Sequence, residues 1–274
     1  MISFPNSKIN LGLNVIRKRN DGYHDIETIF YPIPLNDTLE ILPNPEAGKK
    51  FSLPITITGI EVEGDVSMNL CVKAFRNLRR DFPNIPHVKM HLHKTIPSGG
   101  GLGGGSSDGA FALKMLNEMF DLKLSESELI EYGAELGSDC PFFILNKPCF
   151  ASGRGEKLEP LDLDLSEYHF LVVNPGIHIG TGRAFLDIKP TIPERSLKEV
   201  IREPIERWRD SLCNDFEKSV FPRHREIVEI KDELYRKGAI YASMTGSGST
   251  MYGIFRRAEE PAFSFPESYF VRYV

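Results

Sequence analysis

A glycine-rich segment, Pro97–Asp108, constrains the fold of this chain more than any other part of its sequence. Six of the seven residues from Gly99 to Gly105 are glycine, which favours neither helix nor strand because it loses the most backbone freedom on ordering. What glycine allows is close approach, since backbone N–H groups without neighbouring Cβ atoms can surround an anion. Ser106, Ser107 and Asp108 are good helix N-cap residues, and an apolar pattern with helical spacing follows them. A glycine loop that leads into a helix N-terminus predicts a phosphate-binding site.

Two other interpretations of this segment fit the sequence less well. A flexible linker would be longer and would not lie between the strand-like residues 88–92 and a capped helix. A dinucleotide-binding fingerprint can be fitted to the glycines, but no acidic strand end follows about 20 residues later. The chain also contains no Gly-Lys-Ser or Gly-Lys-Thr, so the P-loop pattern is absent. The sequence therefore predicts a phosphate loop of a different kind.

Composition and charge exclude several classes of protein. The chain has 274 residues, 41% of them hydrophobic and 26% charged, which suits one large or two modest domains. A net charge of −5, without basic runs longer than a pair, argues against nonspecific binding to nucleic acid. No stretch resembles a signal peptide or is long enough to span a bilayer, and the four cysteines lack CxxC spacing. We therefore expect a cytoplasmic protein with reduced cysteines that binds neither membranes nor nucleic acids.

The first predicted strand carries the first candidate functional residues. Apolar and polar residues alternate over residues 8–15, so Lys8 and Asn10 share the polar face of a half-buried strand. Taken alone, Lys8 is best explained as a surface lysine. A turn signal at residues 20–22 then predicts a hairpin.

Three aromatic residues follow that turn. Tyr23, His24 and Phe30 are either core residues or a stacking pocket for a planar ring, and the pattern alone slightly favours the core.

The rest of the chain predicts an alternation of strands and helices. Strands are predicted at residues 38–42, 53–60, 88–93, 169–173, 239–244, 250–255 and 269–274, with a loop at 43–50. Helices are predicted at residues 69–79, after the glycine segment, from the capping box at 125–128 to 136, in pieces over 194–221, and at 222–236. His91 and His93 share one strand face, but without a third ligand at a suitable spacing they do not predict a metal site.

Asp139 is a second candidate functional residue. It follows a helix that stops at Gly137 and precedes the apolar residues 142–145, so it lies at a predicted helix-to-strand junction. An aspartate in this position is commonly a cap, but a short rigid turn can also present a catalytic carboxylate. Turn-rich residues from 151 onward indicate a domain boundary near this point.

Three motifs together resemble those of the GHMP kinase superfamily, in order and at the expected separations. They are Ser7–Leu11, Pro97–Asp108 and Thr245–Ser249. Narrower motifs, among them Asp21–His24 and Gly137–Phe143, are similar to the branch of that superfamily whose substrate is a cytidine-diphosphate-linked methylerythritol. Two glycine- and serine-rich loops, an isolated lysine and an aspartate also suit phosphoryl transfer, which needs positioning and charge neutralisation above all.

The resemblance implies an α+β fold of two domains with the active site in the cleft between them. Residues 1–154 would form an ATP-binding domain like domain 2 of ribosomal protein S5, and residues 155–274 a ferredoxin-like domain. It implies ATP and Mg²⁺ as cofactors, although the metal ligands stay unassigned. The protein would be a monomer or a weak homodimer.

The resemblance also assigns roles to individual residues. Asp139 would be the catalytic base and Lys8 its partner. The residues implied to bind ATP are Asn69, Lys94, Pro97, Ser98, Gly99, Gly100, Gly101, Leu102, Gly103, Gly104, Gly105, Ser106 and Ser107. Those implied to bind the second substrate are Asn10, Tyr23, His24, Phe30, Thr181, Phe185, Gly246 and Ser247.

Two alternatives stay open at the level of sequence. One is another GHMP kinase, acting on an alcohol of the homoserine or mevalonate type. The other is a catalytically silent nucleotide-binding regulator on the same fold. The presence of both Lys8 and Asp139 argues against a silent protein, which would not need a base.

Overall fold

The computed structural model of the protein describes residues 1–44, 55–62 and 64–274. The strands are β1 Ile2–Ser3, β2 Asn6–Lys18, β3 His24–Asn36, β4 Thr38–Pro43, β5 Ile55–Gly59, β6 Val88–Lys94, β7 Cys149–Ser152, β8 Lys157–Pro160, β9 Tyr168–Asn174, β10 Tyr241–Met244, β11 Met251–Arg256 and β12 Phe270–Tyr273. The α-helices are α1 Leu70–Asp81, α2 Gly104–Met119, α3 Glu126–Leu136, α4 Cys140–Leu145, α5 Thr181–Phe185, α6 Leu197–Val200, α7 Trp208–Ser211, α8 Phe216–Val220 and α9 Arg225–Arg236.

The chain folds into two compact units, neither of which is one continuous stretch. Unit 1 comprises residues 1–7, 34–98 and 103–146, and unit 2 comprises residues 8–33, 99–102 and 147–274. The sequence-based domains, 1–154 and 155–274, follow chain order, whereas the compact units interleave along the chain. The division at residue 154 therefore stays a prediction.

Unit 1 is built on a four-stranded sheet in the order β1-β4-β6-β5. Every second residue of β6 is buried, so Lys94 lies on the same strand face as the core residues Met90 and Leu92. Helix α1 packs against α2, and α4 packs against both α2 and α3. The sheet and these helices place the start of α2 next to the end of β6.

Unit 2 is built largely on two four-stranded sheets, β2-β3-β7-β8 and β10-β11-β9-β12. Helix α9 packs against β10 and β11 through an apolar stripe of Ile227, Ile230 and Leu234, whose spacing puts them on one helix face. The turn between β10 and β11 carries the third sequence motif. This sheet therefore holds residues 245–249 on a rigid support.

Most elements expected from the sequence are present, with ends that differ by at most three residues. The capping box is formed at Ser125 and Glu128. The predicted loop at residues 43–50 and the start of the strand predicted at 53 lie largely outside the described residues. In the described residues, no helix has the length and apolar character needed to cross a bilayer.

Three expectations were wrong in detail. Helix α2 begins at Gly104 with Gly103 as its N-cap in the left-handed region, so Ser106, Ser107 and Asp108 lie inside the helix rather than capping it. Residues 140–145 form a helix and not a strand, because Pro141 suits the first turn of a helix. The polar face of β2 is buried as well as the apolar one, and Lys8 is therefore not a surface lysine.

Candidate active site

The glycine segment leads directly into the first turn of α2. Gly103 has a φ of 73°, a conformation that glycine adopts without steric cost, and it turns the chain into the helix. The first backbone N–H groups of a helix have no partner within the helix, and the helix dipole favours an anion beside them. A Cβ atom on Gly105 would meet nothing within 4 Å, so the first turn is open at this residue. These features fit a phosphate-binding site.

Residues 99–102 of the segment are fixed by backbone contacts within unit 2. Lys8 N donates to Leu102 O at 3.0 Å, and Thr250 N donates to Gly100 O at 3.3 Å. The Thr245 hydroxyl lies 3.0 Å from Gly101 O and 3.1 Å from Asn10 Oδ1, and these two acceptors share its one proton. A Cβ atom on Gly101 would lie 2.1 Å from Thr245 O, a distance that no side chain permits. Glycine is therefore required here for close packing of two backbones.

Asn10 is the centre of a buried hydrogen-bond network in unit 2. Its Oδ1 accepts from Lys8 Nζ at 2.7 Å, Gly246 N at 2.9 Å and Thr245 Oγ1 at 3.1 Å. Its Nδ2 donates to Thr28 Oγ1 at 2.8 Å, and that hydroxyl donates to Gly12 O. One carboxamide thus links the lysine of the first motif to the turn of the third.

Lys8 is only 3% exposed, and its ammonium lies 5.0 Å from the centre of the Phe30 ring. At this distance the ammonium is attracted to the face of the aromatic ring. Phe30, which the resemblance assigned to substrate binding, therefore contacts the candidate catalytic lysine. Asp139 is half-buried and occupies the N-cap position of α4, so a short rigid helix fixes its backbone.

A second group of aromatic side chains lies near the β2–β3 turn, and it consists of Tyr23, His24, Phe185 and Phe216. The rings of His24 and Phe185 are stacked, with centroids 4.5 Å apart and an angle of 7° between planes. The centroid of the Phe216 ring lies 4.8 Å from that of Phe185, and the two rings are close to perpendicular. Burial, with a smaller effect of Lys18, lowers the pKa of His24, so its neutral form is favoured. Tyr23 precedes this stack and is 54% exposed.

Lys94, which the resemblance placed near the nucleoside of ATP, is buried between two carboxylates of unit 1. Its ammonium donates to Asp37 and to Asp108 Oδ2, the latter at 2.7 Å. Burial opposes the charged form of Lys94, but attraction to Asp108 and Asp37 outweighs it and raises the pKa. For Asp108, burial raises the pKa to about 7, Lys94 opposes that rise, and Asp37 adds to it. Asp37 Oδ1 also accepts from Thr95 N and Ile96 N, so this cluster fixes the chain that enters the glycine segment.

The other predicted residues have less connected positions. Asn69 caps α1 by accepting from Cys71 N at 2.9 Å. Thr181 and Ser247 are joined through their hydroxyls at 3.2 Å, beside Gly246.

Sequence reasoning missed several residues that hold these loops in place. Asn214 Nδ2 donates to Met244 O and Gly246 O, and Asn174 Nδ2 donates to Thr250 Oγ1. Asn174 precedes a Pro-Gly turn at the end of a buried strand, which was a usable signal. Asn214 lies in a poorly patterned part of the chain and gave none.

Among residues 1–44, 55–62 and 64–274, no group of three or more His, Cys, Asp or Glu side chains is placed to hold a metal ion. Two buried oxygens near the start of α2, Ser107 Oγ and Asp108 Oδ1, have no hydrogen-bond partner in the described structure. Hard oxygen atoms of this kind are the ligands that Mg²⁺ prefers. Because Mg²⁺ bound with a nucleotide takes further ligands from phosphate and water, two protein oxygens fit such an ion.

Comparison with known proteins defines the class. A family model described as the GHMP kinases N terminal domain matches residues 69–147, and one described as GHMP kinases C terminal matches residues 196–264. Solved structures agree with this: a mevalonate kinase from Methanococcus jannaschii has a TM-score of 0.63 at 17% identity, covering 94% of this chain and 92% of that one. At that identity the similarity concerns the fold alone. The α+β fold and the kinase class expected from the sequence are confirmed.

Closer relatives define the family within this class. A 4-diphosphocytidyl-2-C-methyl-D-erythritol kinase from Bacteroides thetaiotaomicron is 53% identical over 98% of this chain and 95% of its own length. One from Cytophaga hutchinsonii is 45% identical over 95% of this chain and 94% of its own length. A crystal structure of 4-(cytidine 5'-diphospho)-2C-methyl-D-erythritol kinase has a TM-score of 0.78 at 29% identity, covering 93% of this chain and 90% of that one. The chain belongs to the family of the 4-diphosphocytidyl-2-C-methyl-D-erythritol kinases.

Proposed function

We propose that this protein transfers the γ-phosphoryl group of ATP to the 2-hydroxyl of 4-diphosphocytidyl-2-C-methyl-D-erythritol, forming the 2-phosphate and ADP. The reaction belongs to the non-mevalonate route to isoprenoid precursors. The observation that carries the proposal is the similarity to kinases named for this substrate over 98% of the chain. The glycine segment and the Lys8–Asn10 network supply the groups that such a reaction needs.

The proposed reaction assigns one role to each charged residue of the site. Asp139 accepts the proton of the attacking hydroxyl while that oxygen forms a bond to the γ-phosphorus and the bond to the ADP oxygen breaks. The Lys8 ammonium offsets the negative charge that develops on the attacking oxygen. Asn10 fixes the position of that ammonium through its Oδ1.

The glycine segment is proposed to bind the triphosphate. Residues 97–107 surround the phosphates, and the first turn of α2 contributes its dipole and the N–H groups that have no partner within the helix. Ser107 and Asp108 would hold Mg²⁺, which neutralises charge on the β- and γ-phosphates when bound. The nucleoside contacts of Asn69 and Lys94 stay predictions.

The aromatic group at the β2–β3 turn is proposed to bind the cytosine ring. A planar base stacks on the faces of Tyr23 and Phe185, and the neutral imidazole of His24 can donate from one nitrogen and accept at the other. Asn10, Thr181, Gly246 and Ser247 are proposed to line the diphosphate and polyol part of the substrate. The role of Phe30 in this pocket stays a prediction.

A comparison of substrates tests the function as a whole. We expect ADP release with 4-diphosphocytidyl-2-C-methyl-D-erythritol that exceeds the release with homoserine, mevalonate or galactose by at least about 100-fold, since the last three lack the cytosine ring. Higher activity with one of those alcohols would contradict the proposed substrate. ATP binding without turnover of any of the four would indicate a silent regulator.

The variant Asp139→Asn tests the proposed base. An amide cannot accept the proton, so we expect kcat to fall by about 100-fold or more while the dissociation constant of ATP stays within about twofold. Asp121→Asn is the matched control, because Asp121 is an aspartate of the same unit with a φ of 50°, which asparagine also tolerates. Turnover near the wild-type value in Asp139→Asn would refute the role of this carboxylate.

Two further expectations complete the proposal. We propose that the protein acts in the cytoplasm and is a monomer or a weak homodimer. Sedimentation equilibrium over a range of protein concentrations checks the second point, and a constant dimer at the lowest concentration would contradict it.

A further inference from the structure

Arg154 lies against the Tyr23 ring at the β2–β3 turn, and the resemblance assigned it no role. It belongs to the turn between β7 and β8, and the backbone of that turn is fixed. Ile26 N donates to Gly153 O at 2.7 Å, which ties the turn to β3. Arg154 N donates to Glu156 Oε2 at 2.6 Å, which closes the turn on itself.

The guanidinium of Arg154 covers one face of the Tyr23 ring. Its central carbon lies 4.1 Å from the ring centroid, a distance at which the cation is attracted to the aromatic face. Because a guanidinium is planar, it stacks on a ring in a way that an ammonium cannot. Arg154 also adds to the lowering of the pKa of Asp21, for which the hydrogen bond from Arg19 is the main cause.

Tyr23 needs such a partner because the backbone alone does not fix its ring. Its N–H donates to Asp21 Oδ1 and its carbonyl accepts from Arg19 N, so the main chain is held within a tight turn. The side chain, however, is 54% exposed, and an exposed tyrosine can adopt more than one rotamer. The stacked guanidinium favours one orientation of the ring, while more than half of the residue's surface stays exposed.

We propose that Arg154 is a positioning residue for the substrate: it holds the Tyr23 ring in the orientation that stacks on the cytosine base. The inference rests on the proposed function, since it requires that Tyr23 binds a planar base. Arg154 acts through Tyr23 and does not touch the reacting atoms. Its loss weakens binding of the cytidine substrate and leaves ATP binding and the chemical step unchanged.

A double-mutant cycle with Tyr23 tests this coupling. Arg154→Met keeps a long apolar side chain and removes the stacked cation, and we expect KM for the cytidine substrate to rise about three- to fivefold. The dissociation constant of CDP, measured by calorimetry, rises by the same factor, while kcat and KM for ATP stay within experimental error. In a Tyr23→Ala background the same substitution has no further effect, because the ring that it positions is absent. Arg154→Lys restores less than half of the loss, since an ammonium does not stack.

Arg209→Met is the matched control. The guanidinium carbon of Arg209 lies 4.2 Å from the Tyr235 ring in the same unit, so this variant removes the same kind of contact elsewhere. We expect it to leave KM for the cytidine substrate and CDP binding unchanged. Thermal unfolding of both methionine variants shows whether either change acts through stability.

The outcomes separate this inference from the proposed function. If Arg154→Met leaves KM and CDP binding unchanged, or if its effect persists in the Tyr23→Ala background, the positioning role is overturned. In the second case Arg154 contacts the substrate directly. A wild-type protein that neither phosphorylates the cytidine substrate nor binds CDP would overturn the proposed function itself.

Discussion

Each unit of the protein contains a buried polar network, and the two networks are built on different chemistry. In unit 1 the Lys94 ammonium is held by the carboxylates of Asp37 and Asp108, and all three groups are at most 3% exposed. In unit 2 the centre is the neutral carboxamide of Asn10, equally buried, which accepts three hydrogen bonds and donates one. Each network adjoins the part of the glycine segment that belongs to its own unit.

The two networks differ in the energetic cost of removing one of their members. An ionic cluster in a medium of low polarity is balanced only while every charge keeps its partner, and removal of one partner leaves a charge that neither water nor protein stabilises. A carboxamide carries no net charge, and its loss removes hydrogen bonds without creating a new uncompensated charge, at a smaller cost. We therefore expect the unit 1 network to determine stability and the unit 2 network to affect mainly the position of Lys8 and of the turn at residues 245–246.

The variant Lys94→Met produces the largest expected effect on stability. It leaves two buried carboxylates without their cation, so we expect the free energy of unfolding at neutral pH to fall by about 3–5 kcal/mol in chemical denaturation. Lys114→Met is the control, because Lys114 belongs to the same unit but donates to the carbonyls of Phe143 and Ile144 rather than to carboxylates.

An equal loss of stability in Lys94→Met and Lys114→Met would mean that the two carboxylate partners of Lys94 do not make its removal more costly. A second variant sharpens the test: Asp108→Asn in the Lys94→Met background removes a carboxyl group that has lost its cation and whose pKa burial already raises to about 7. We expect it to recover part of the lost stability, and a further loss would contradict the charge argument.

The variant Asn10→Ala is expected to affect turnover more than stability. Lys8 Nζ and Gly246 N lose a shared acceptor, so we expect kcat to fall about 10- to 100-fold and the free energy of unfolding to fall by about 1–3 kcal/mol. Asn14→Ala, a half-buried asparagine on the same strand, serves as the control. A stability loss as large as that of Lys94→Met would contradict the contrast between the two networks.

Local sequence predicted the helices and strands around the glycine segment well and the residues that hold the segment in place poorly. Each of these features depends on neighbours within a few residues of the chain: the glycine segment, strand β11 and the capping box. The partners of the segment do not: Gly100 and Gly101 contact residues near position 250, about 150 positions along the chain. Nothing in a local pattern shows that Thr245 or Thr250 contacts a glycine so far away in the chain.

Two features of the sequence bear on the burial of these polar residues. Lys94 continues the alternation of buried residues along β6, and a lysine on the core side of a strand demands acidic partners. The residues of β2 alternate in polarity, which suggested an exposed face, yet alternation only separates two faces and does not show that one is in water. Burial of the polar face of β2 depends on the hydrogen bonds that the Asn10 side chain forms with β3 and with the turn between β10 and β11.

The variant Thr28→Val gives the smallest expected effect and isolates burial as the cause. The Thr28 hydroxyl makes two hydrogen bonds, to Asn10 Nδ2 and Gly12 O, with no exposure to solvent. The Thr58 hydroxyl also makes two, to the rings of His91 and His93, but on an exposed face. We expect Thr28→Val to lower the free energy of unfolding by about 1–2 kcal/mol and kcat by less than about threefold. Thr58→Val is expected to change stability by less than about 0.5 kcal/mol, because water replaces the lost partners. Equal losses would show that the number of hydrogen bonds, and not their burial, sets the cost of disturbing the unit 2 network.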